Sequence, residues 1–197
     1  MNLTTLIKHT MWTATASVLM VSNVVADPTS AECRQSVDNF KSLNANVAAL
    51  VSSAYGYAIF PNIGKGGLVI GGAGGAGCVY QGGAETGTSK MGQVTIGFQA
   101  GGQVYSQIIM FQNADSYAAF TAGEFEFGAQ ATAVALTASA QAEAGSKGSS
   151  AAVGATNQKG GGKSTTYTDG MAVYTVAKGG LMYEASIGGQ KFSYKPL

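Results

Sequence analysis

The sequence predicts an α+β domain dominated by antiparallel strands: a glycine-rich twisted or barrel-like sheet with an N-terminal amphipathic helix and one short helix. Three observations predict this class. An apolar stripe at helical spacing covers residues 29–54, a two-residue alternation of apolar and polar side chains follows it, and 29 glycines are spread over 197 residues. Charged residues make up only 11% of the chain, which is well below the usual quarter and favours an apolar, sheet-rich protein.

Residues 1–26 have the features of a secretory signal peptide. Lys8 precedes an apolar stretch at residues 11–25, and Val-Val-Ala at 24–26 is a small-residue cleavage site. The stretch is too short and too polar to be expected to span a membrane. We therefore expect an exported protein (periplasmic, envelope-associated or secreted) with a single domain at 27–197.

Loss of this leader changes the chemistry that the chain can perform. Lys8 is the one basic residue of the leader, so the mature chain has ten basic and ten acidic residues and no expected nucleic-acid partner. His9, the only histidine, also lies in the leader, which removes the commonest general base and metal ligand. The acidic residues form no recognisable catalytic pair, so we expect no enzyme activity, cofactor or metal.

The best predicted helix covers residues 29–54. Its apolar positions recur at steps of three and four on one stripe, with Thr29 or Ser30 as a cap and Gly56 as a terminating glycine. Arg34 and Lys41 project beside the stripe, at nearly the same angle. The stripe either packs on the sheet or enters a membrane interface while the two basic side chains reach lipid headgroups. Two basic residues are few, so the sequence alone favours packing.

Beyond this helix the pattern predicts strands and turns. A strand at 57–60 is expected to stop at Pro61, and strands are expected at 67–80, 93–99 and 103–111. Asn113 and Gly123 bound the predicted short helix. Residues 125–144 combine helix-forming alanines with β-branched residues and stay ambiguous. Residues 145–163 form a predicted flexible Gly/Ser/Lys loop, and residues 165–176 and 181–194 are the last predicted strands.

Two glycine motifs resemble nucleotide-binding loops. GAGGAG at 72–77 matches the dinucleotide fingerprint, but no helical pattern follows it, and no acidic residue lies near position 97. KGGGKS at 159–164 resembles the end of a phosphate-binding loop, but Asn157 stands where the first glycine is required. We therefore expect no nucleotide, and we expect the glycines of 72–77 to allow close approach by neighbouring backbone or by the N-terminal helix.

Cys33 and Cys78 are the only cysteines. In an exported protein they could form a disulfide, and the alternative is two buried free thiols. The sequence does not decide between these two states. A C-x-x-C arrangement for redox chemistry or zinc is absent.

The order of motifs resembles the SYLF domain family, over residues 30–194. The motifs are the amphipathic helix, YAIFP at 57–61, GKGGLVIGG at 64–72, GAG at 75–77, GFQAGGQ at 97–103, and VY at 173–174 followed by KGGL at 178–181. The resemblance implies a non-catalytic, β-rich lipid-binding domain in which residues 125–144 are extended. Eukaryotic members bind phosphoinositide membranes through the N-terminal helix, and some bind actin.

Carried over to this sequence, the resemblance implies lipid contacts on the N-terminal helix. The matching positions are Arg34, Val37, Phe40, Lys41, Leu43 and Val47. The expected function is peripheral association with phospholipid or phosphoinositide-type headgroups in the bacterial envelope. The alternatives are an envelope structural or protein-interaction module without specific lipid binding, and a small outer-membrane barrel, against which the predicted helices argue.

Overall fold

The computed structural model describes residues 26–67, 70–96, 101–128, 131, 133–136, 167–179 and 187–197. It has the predicted α+β architecture, and the described ranges contain three helices and a predominantly antiparallel sheet of eight strands. The elements in chain order are α1 (Ser30–Leu43), α2 (Ala45–Ser53), β1 (Gly56–Gly67), β2 (Ile70–Gln81), β3 (Ala84–Ile96), β4 (Gly101–Phe111), α3 (Ala114–Thr121), β5 (Glu124–Glu126), β6 (Val134–Leu136), β7 (Met171–Gly179) and β8 (Lys191–Pro196). Residues 1–25 of the predicted leader and the predicted loop at 145–163 lie outside the described residues.

The strand order is β5-β8-β3-β2-β1-β4-β7-β6, and the sheet is not closed. All the neighbouring pairs are antiparallel except β6 with β7. The sheet nevertheless curls strongly. Phe60 on β1 and Phe192 on β8 have ring centroids 5.4 Å apart. Three strand spacings would separate them by about 14 Å in a flat sheet.

The inner face of the curled sheet holds one of two hydrophobic clusters and a set of buried amides. Gln107 on β4 and Gln190, next to β8, donate to each other through their amides, at 2.9 and 3.2 Å between nitrogen and oxygen. Gln190 Nε2 also donates to the Tyr105 hydroxyl at 3.3 Å. Both glutamines are fully buried, so these bonds satisfy amides that would otherwise be costly to bury. These hydrogen bonds connect β4 to the residue that precedes β8, across the inner face of the curled sheet.

The predicted N-terminal helix is two helices, which corrects the single helix expected over 29–54. Asn44 is extended at φ −156°, and its side chain accepts hydrogen bonds from the backbone N–H groups of Asn46 and Val47, so it ends α1 and caps α2. Thr29 caps α1 in a capping box with Glu32, as one of the two expected caps. The terminating role expected for Gly56 was wrong, because Gly56 is the first residue of β1.

The expectation that the first strand stops at Pro61 was also wrong. β1 continues to Gly67 because its register against both neighbours shifts between residues 59 and 63. Such a bulge accommodates a proline, which has no N–H to donate to the sheet. The Pro61 carbonyl accepts a hydrogen bond from the buried Ser106 hydroxyl at 2.7 Å.

The strands predicted at 67–80 and 103–111 are close to β2 and β4. The strand predicted at 93–99 corresponds to β3, which begins nine residues earlier, at Ala84, because residues 84–92 show no alternation of large apolar side chains. The last strands, predicted at 165–176 and 181–194, correspond to β7 and β8, which begin later, at Met171 and Lys191.

The short helix is α3, capped by Asn113. Two short strands, β5 and β6, overlap the ambiguous segment 125–144, of which residues 129–130, 132 and 137–144 lie outside the described part. GAGGAG at 72–77 lies inside β2 and not at a turn before a helix, so the dinucleotide fingerprint is a coincidence of composition.

Candidate functional site

The N-terminal helices pack on the outer face of the sheet. The second hydrophobic cluster joins them to outward-facing residues of β1, β2, β4 and β7. From the helices, this cluster contains Cys33, Val37, Phe40, Val47 and Val51. The apolar stripe therefore packs on the sheet, which is the arrangement that the sequence favoured.

This packing decides where the six predicted lipid-contact residues lie. Val37, Phe40 and Val47 are buried, with exposed fractions of 3%, 1% and 0%. These three cannot enter a membrane while the helices stay on the sheet, which corrects the direct role assigned to them. Arg34 is exposed, and Lys41 and Leu43 are half-buried. Only these last three residues reach solvent.

A disulfide fixes the first turns of α1 to the sheet. Cys33 and Cys78 are bonded, with an S–S distance of 2.07 Å, and both are buried. The structure thus contains one of the two states that the sequence left open. The bond closes a loop with a sequence separation of 45 residues, which includes α1 from Cys33 onwards and all of α2 and β1.

The N-terminal side of α1 is fixed by local hydrogen bonds. The Glu32 carboxylate accepts hydrogen bonds from the Thr29 N–H and hydroxyl, both at 2.8 Å. These bonds are the main cause of its lowered pKa, and the positive charge of Lys178 contributes in the same direction. Lys178 is therefore electrostatically close to α1, although it belongs to β7.

A cleft of about 220 Å³ lies between α1 and the outer face of β4 and β7. It is lined by Ser36, Asn39, Phe40, Ser42, Leu43, Ser106, Val176 and Lys178. Phe40, Leu43 and Val176 form its apolar part. Lys178 is exposed, and its ammonium donates to the Asn62 amide oxygen at 3.0 Å. The cleft therefore combines an apolar hollow with a positive charge at its edge.

Of the predicted contact residues, the cleft brings Phe40 and Leu43 together, whereas Arg34, Val37, Lys41 and Val47 do not line it. Sequence reasoning missed Ser106, Val176 and Lys178 as part of this site, because they lie far along the chain on two other strands. One signal was available. Lys178 begins the KGGL motif at 178–181, which repeats the KGGL at 65–68.

Beyond the cleft, the same face of the sheet is almost bare of side chains. Cross-strand pairing places two rows side by side, Val94–Gly72–Gly66–Gly102 and Gly92–Gly74–Gly64–Val104. We call the six glycines of these rows the glycine floor. Val94 and Val104 stand at its opposite corners with exposed fractions of 76% and 42%. Ser106 of the cleft is two residues from Val104 on the same face of β4, so the two features are adjacent.

The described residues contain no group of three or more side chains suited to hold a metal ion. Within the same part of the chain, no helix is long and apolar enough to cross a membrane. In comparisons with known proteins, no family model and no curated sequence matches the chain.

Proposed function

We propose that this chain is a non-catalytic, exported domain that associates peripherally with anionic lipid in the bacterial envelope, by the outer face that carries its N-terminal helices. The observation that supports this most directly is the cleft beside α1, where an apolar hollow adjoins a lysine. Phospholipids and phosphoinositides carry the complementary pair of groups, which is an apolar acyl chain and an anionic headgroup. The proposal therefore moves the contact surface from the buried stripe to Arg34, Lys41, Leu43 and the cleft.

The strands that adjoin this surface add little opposing charge, and on α1 itself Glu32 and Asp38 stand beside Arg34 and Lys41. Between Asp38 and Asp115 the sequence contains a single acidic residue, Glu85, so β1, β2, β3 and β4 present almost no negative charge to a membrane. A buried disulfide also fits an exported domain, since disulfides persist in oxidising compartments. We propose a periplasmic, envelope-associated or secreted location on this basis.

Co-sedimentation with vesicles tests the proposal. The mature chain is mixed with phosphatidylcholine vesicles that contain or lack phosphatidylglycerol, and separately with vesicles that contain a phosphoinositide. We expect binding only where anionic lipid is present. Arg34→Glu/Lys41→Glu should lower the partition coefficient at least about tenfold, because each basic residue near an anionic surface contributes about 1 kcal/mol.

Lys195→Glu is the matched control, since Lys195 is an exposed lysine on β8, four strands from β4 in the pairing order. Its binding should remain close to that of the wild type. The lipid proposal fails if the wild type does not bind anionic vesicles. It also fails if the helix variant and the Lys195 variant bind equally.

The glycine floor favours a second candidate function, a structural or protein-interaction module whose partner is a second copy of this chain. The two corner valines are related by a half-turn about the centre of the floor. When two floors face each other across a two-fold axis, each valine of one copy lies opposite Gly92 or Gly102 of the other. Such an interface would be isologous, with each valine filling space above a glycine.

Sedimentation velocity over a range of concentrations tests this second candidate. We expect a concentration-dependent dimer that is lost in Val94→Asp/Val104→Asp. Thr88→Asp, a half-buried position on β3 away from the floor, is the control and should leave the dimer intact. A wild-type chain that stays monomeric at every concentration excludes this candidate.

A further inference from the structure

The cleft beside α1 has the size and composition to hold part of one lipid molecule. Its volume of about 220 Å³ accommodates about seven groups of the size of a water molecule or a methylene. Such a space is too small for two acyl chains and large enough for the end segment of one. Its apolar part is formed by Phe40, Leu43 and Val176, which come from a helix and a strand that are fixed relative to each other by the packed outer face.

The edge of the cleft carries a charge that is available to a ligand. Lys178 forms no salt bridge with any described residue, since the ion pairs found there join Lys90 to Asp27 and Lys191 to Glu126. Among the described residues, its hydrogen-bond acceptor is the neutral Asn62 amide oxygen, which leaves two ammonium protons for other acceptors. The nearby acid, Glu32, has its carboxylate bonded to Thr29. A cation in this position favours an anionic group over a neutral one.

One polar side chain of the cleft adds to this preference. Asn39 is exposed on α1, and its side-chain amide can donate hydrogen bonds to a phosphate oxygen. Ser42 and Ser106 are already committed, because their hydroxyls donate to the Asn39 and Pro61 carbonyls, and Ser36 is buried. The Asn39 amide and the Lys178 ammonium therefore belong to the rim, and the apolar side chains belong to the interior of the cleft.

We propose that the cleft binds a single acyl chain of a phosphate-bearing lipid, with the chain end against Phe40, Leu43 and Val176 and the phosphate at Lys178. This inference rests on the proposed lipid function and narrows it to one site and one ligand class. It also assigns Lys178 a contact role on a strand distant in sequence from the helix.

Calorimetric titration with monomeric alkyl phosphates tests this assignment, using ligands from butyl to dodecyl phosphate below their micelle concentrations and inorganic phosphate as a reference. We expect the affinity to rise about fourfold for each added methylene and to level off near about eight carbons, where the cleft is full. Lys178→Gln should weaken octyl phosphate binding about tenfold. Lys65→Gln, which changes a half-buried lysine on β1 that does not line the cleft, should leave it unchanged.

Three outcomes would overturn the assignment. They are an affinity that does not change with chain length, binding of inorganic phosphate as strong as that of octyl phosphate, and equal effects of the two lysine variants. The chain-length series needs only the wild type, so it remains informative if a variant is unstable. Vesicle binding without alkyl phosphate binding refutes the cleft and leaves the lipid function standing. Alkyl phosphate binding without vesicle binding refutes peripheral membrane association and retains the cleft.

Discussion

Gly77 is glycine because the neighbouring strand occupies the space that a side chain would need. A Cβ at this position would overlap the Ile59 carbonyl oxygen and would lie 2.8 Å from Phe60 Cδ1. Gly75 is in the same situation, with Asn62 O at 2.6 Å and Ile63 Cγ1 at 2.9 Å from a built Cβ. Both glycines face the bulge of β1, where the strand shifts register. The glycine pattern that resembles a nucleotide loop thus serves the packing of two strands.

We predict that Gly77→Ala destabilises the protein by about 1–3 kcal/mol, because either β1 or the Phe60 ring must move to admit the methyl group. Gly64→Ala is the control, since a Cβ at position 64 meets nothing within 4 Å. It should change stability by less than about 0.5 kcal/mol. Urea unfolding of both variants measures the difference, and equal midpoints would refute this account of Gly77.

At the residue scale, the prediction that succeeded concerns the glycines of β2 and the space that their missing side chains leave. Close approach of backbone to the glycines of β2 was predicted, and it is confirmed for β1 at Gly75 and Gly77. The alternative that the N-terminal helix approaches these glycines was wrong. Gly75 and Gly77 face β1 on the inner side of the sheet, and a Cβ built at Gly72 or Gly74, on the outer face, meets a backbone oxygen of β3 and no atom of α1 within 4 Å. A pattern of small residues indicates close packing but carries no information about which element approaches.

At the scale of elements, α1 is held on the sheet by both packing and a covalent bond. Phe40 and Val37 are buried in the outer cluster, and Cys33 is bonded to β2 through Cys78. The helix therefore resists detachment at its N-terminal side, whereas its C-terminal side ends at the cleft. A lipid bound at this face would therefore contact α1 while the helix stays packed on the sheet.

We predict that Cys33→Ser/Cys78→Ser lowers the free energy of unfolding by about 4 kcal/mol, because the closed loop restricts the unfolded chain. Chemical unfolding with and without a dithiol reductant measures the effect. The reductant should shift the midpoint of the wild type and leave that of the double variant unchanged. A wild-type midpoint that does not respond to complete reduction contradicts the prediction.

Most of the elements were predictable, and the errors at Asn44 and Pro61 occurred where a side chain overrides the periodic pattern. The first nine residues of β3 were missed because residues 84–92 contain one large apolar side chain, Met91, and show no alternation. Asn44 interrupts the apolar stripe of 29–54 without changing its spacing, so the pattern continues across a helix boundary. A proline ends a strand only where no bulge accommodates it. Whether a bulge forms at Pro61 depends on the pairing of β1 with its neighbouring strands, which the sequence of β1 alone does not reveal. The cleft could not be predicted for a similar reason, since its lining comes from α1, β4 and β7.

At the scale of the whole molecule, the curl of the sheet creates an interior that contains polar groups. The amides of Gln93, Gln107 and Gln190 and the hydroxyl of Tyr105 lie inside, linked through Gln190. The sequence predicted a twisted or barrel-like sheet from glycine content and alternation. It gave no indication of these contacts, because they join residues 83 to 97 positions apart in the chain.

Burial of several tyrosines predicts a loss of stability in alkali. Burial raises the pKa of Tyr105 from 10.0 to about 12, and it also raises the pKa values of Tyr57, Tyr80, Tyr117 and Tyr167. A phenol with a raised folded-state pKa stabilises the fold fully below the unfolded value near 10, and this contribution is lost as the pH rises towards 12. We therefore expect the free energy of unfolding to fall steeply above about pH 10.

Phenolate absorbance against pH checks this expectation, with the chain in guanidinium chloride as the reference. The native protein should titrate at a higher pH than the unfolded chain and should lose its circular dichroism signal over the same range. Native tyrosines that titrate together with those of the unfolded chain would contradict it.

The single Cys33–Cys78 bond also simplifies the route by which the chain acquires its fold. Two cysteines allow one intramolecular pairing, so oxidation within one chain has no wrong isomer to reshuffle. Both partners lie in the first four elements, α1, α2, β1 and β2, and a chain that emerges N-terminus first can close this bond before β3 to β8 exist. The only incorrect disulfide is then one between two chains, so the yield of correctly oxidised protein should depend on concentration and not on an isomerase.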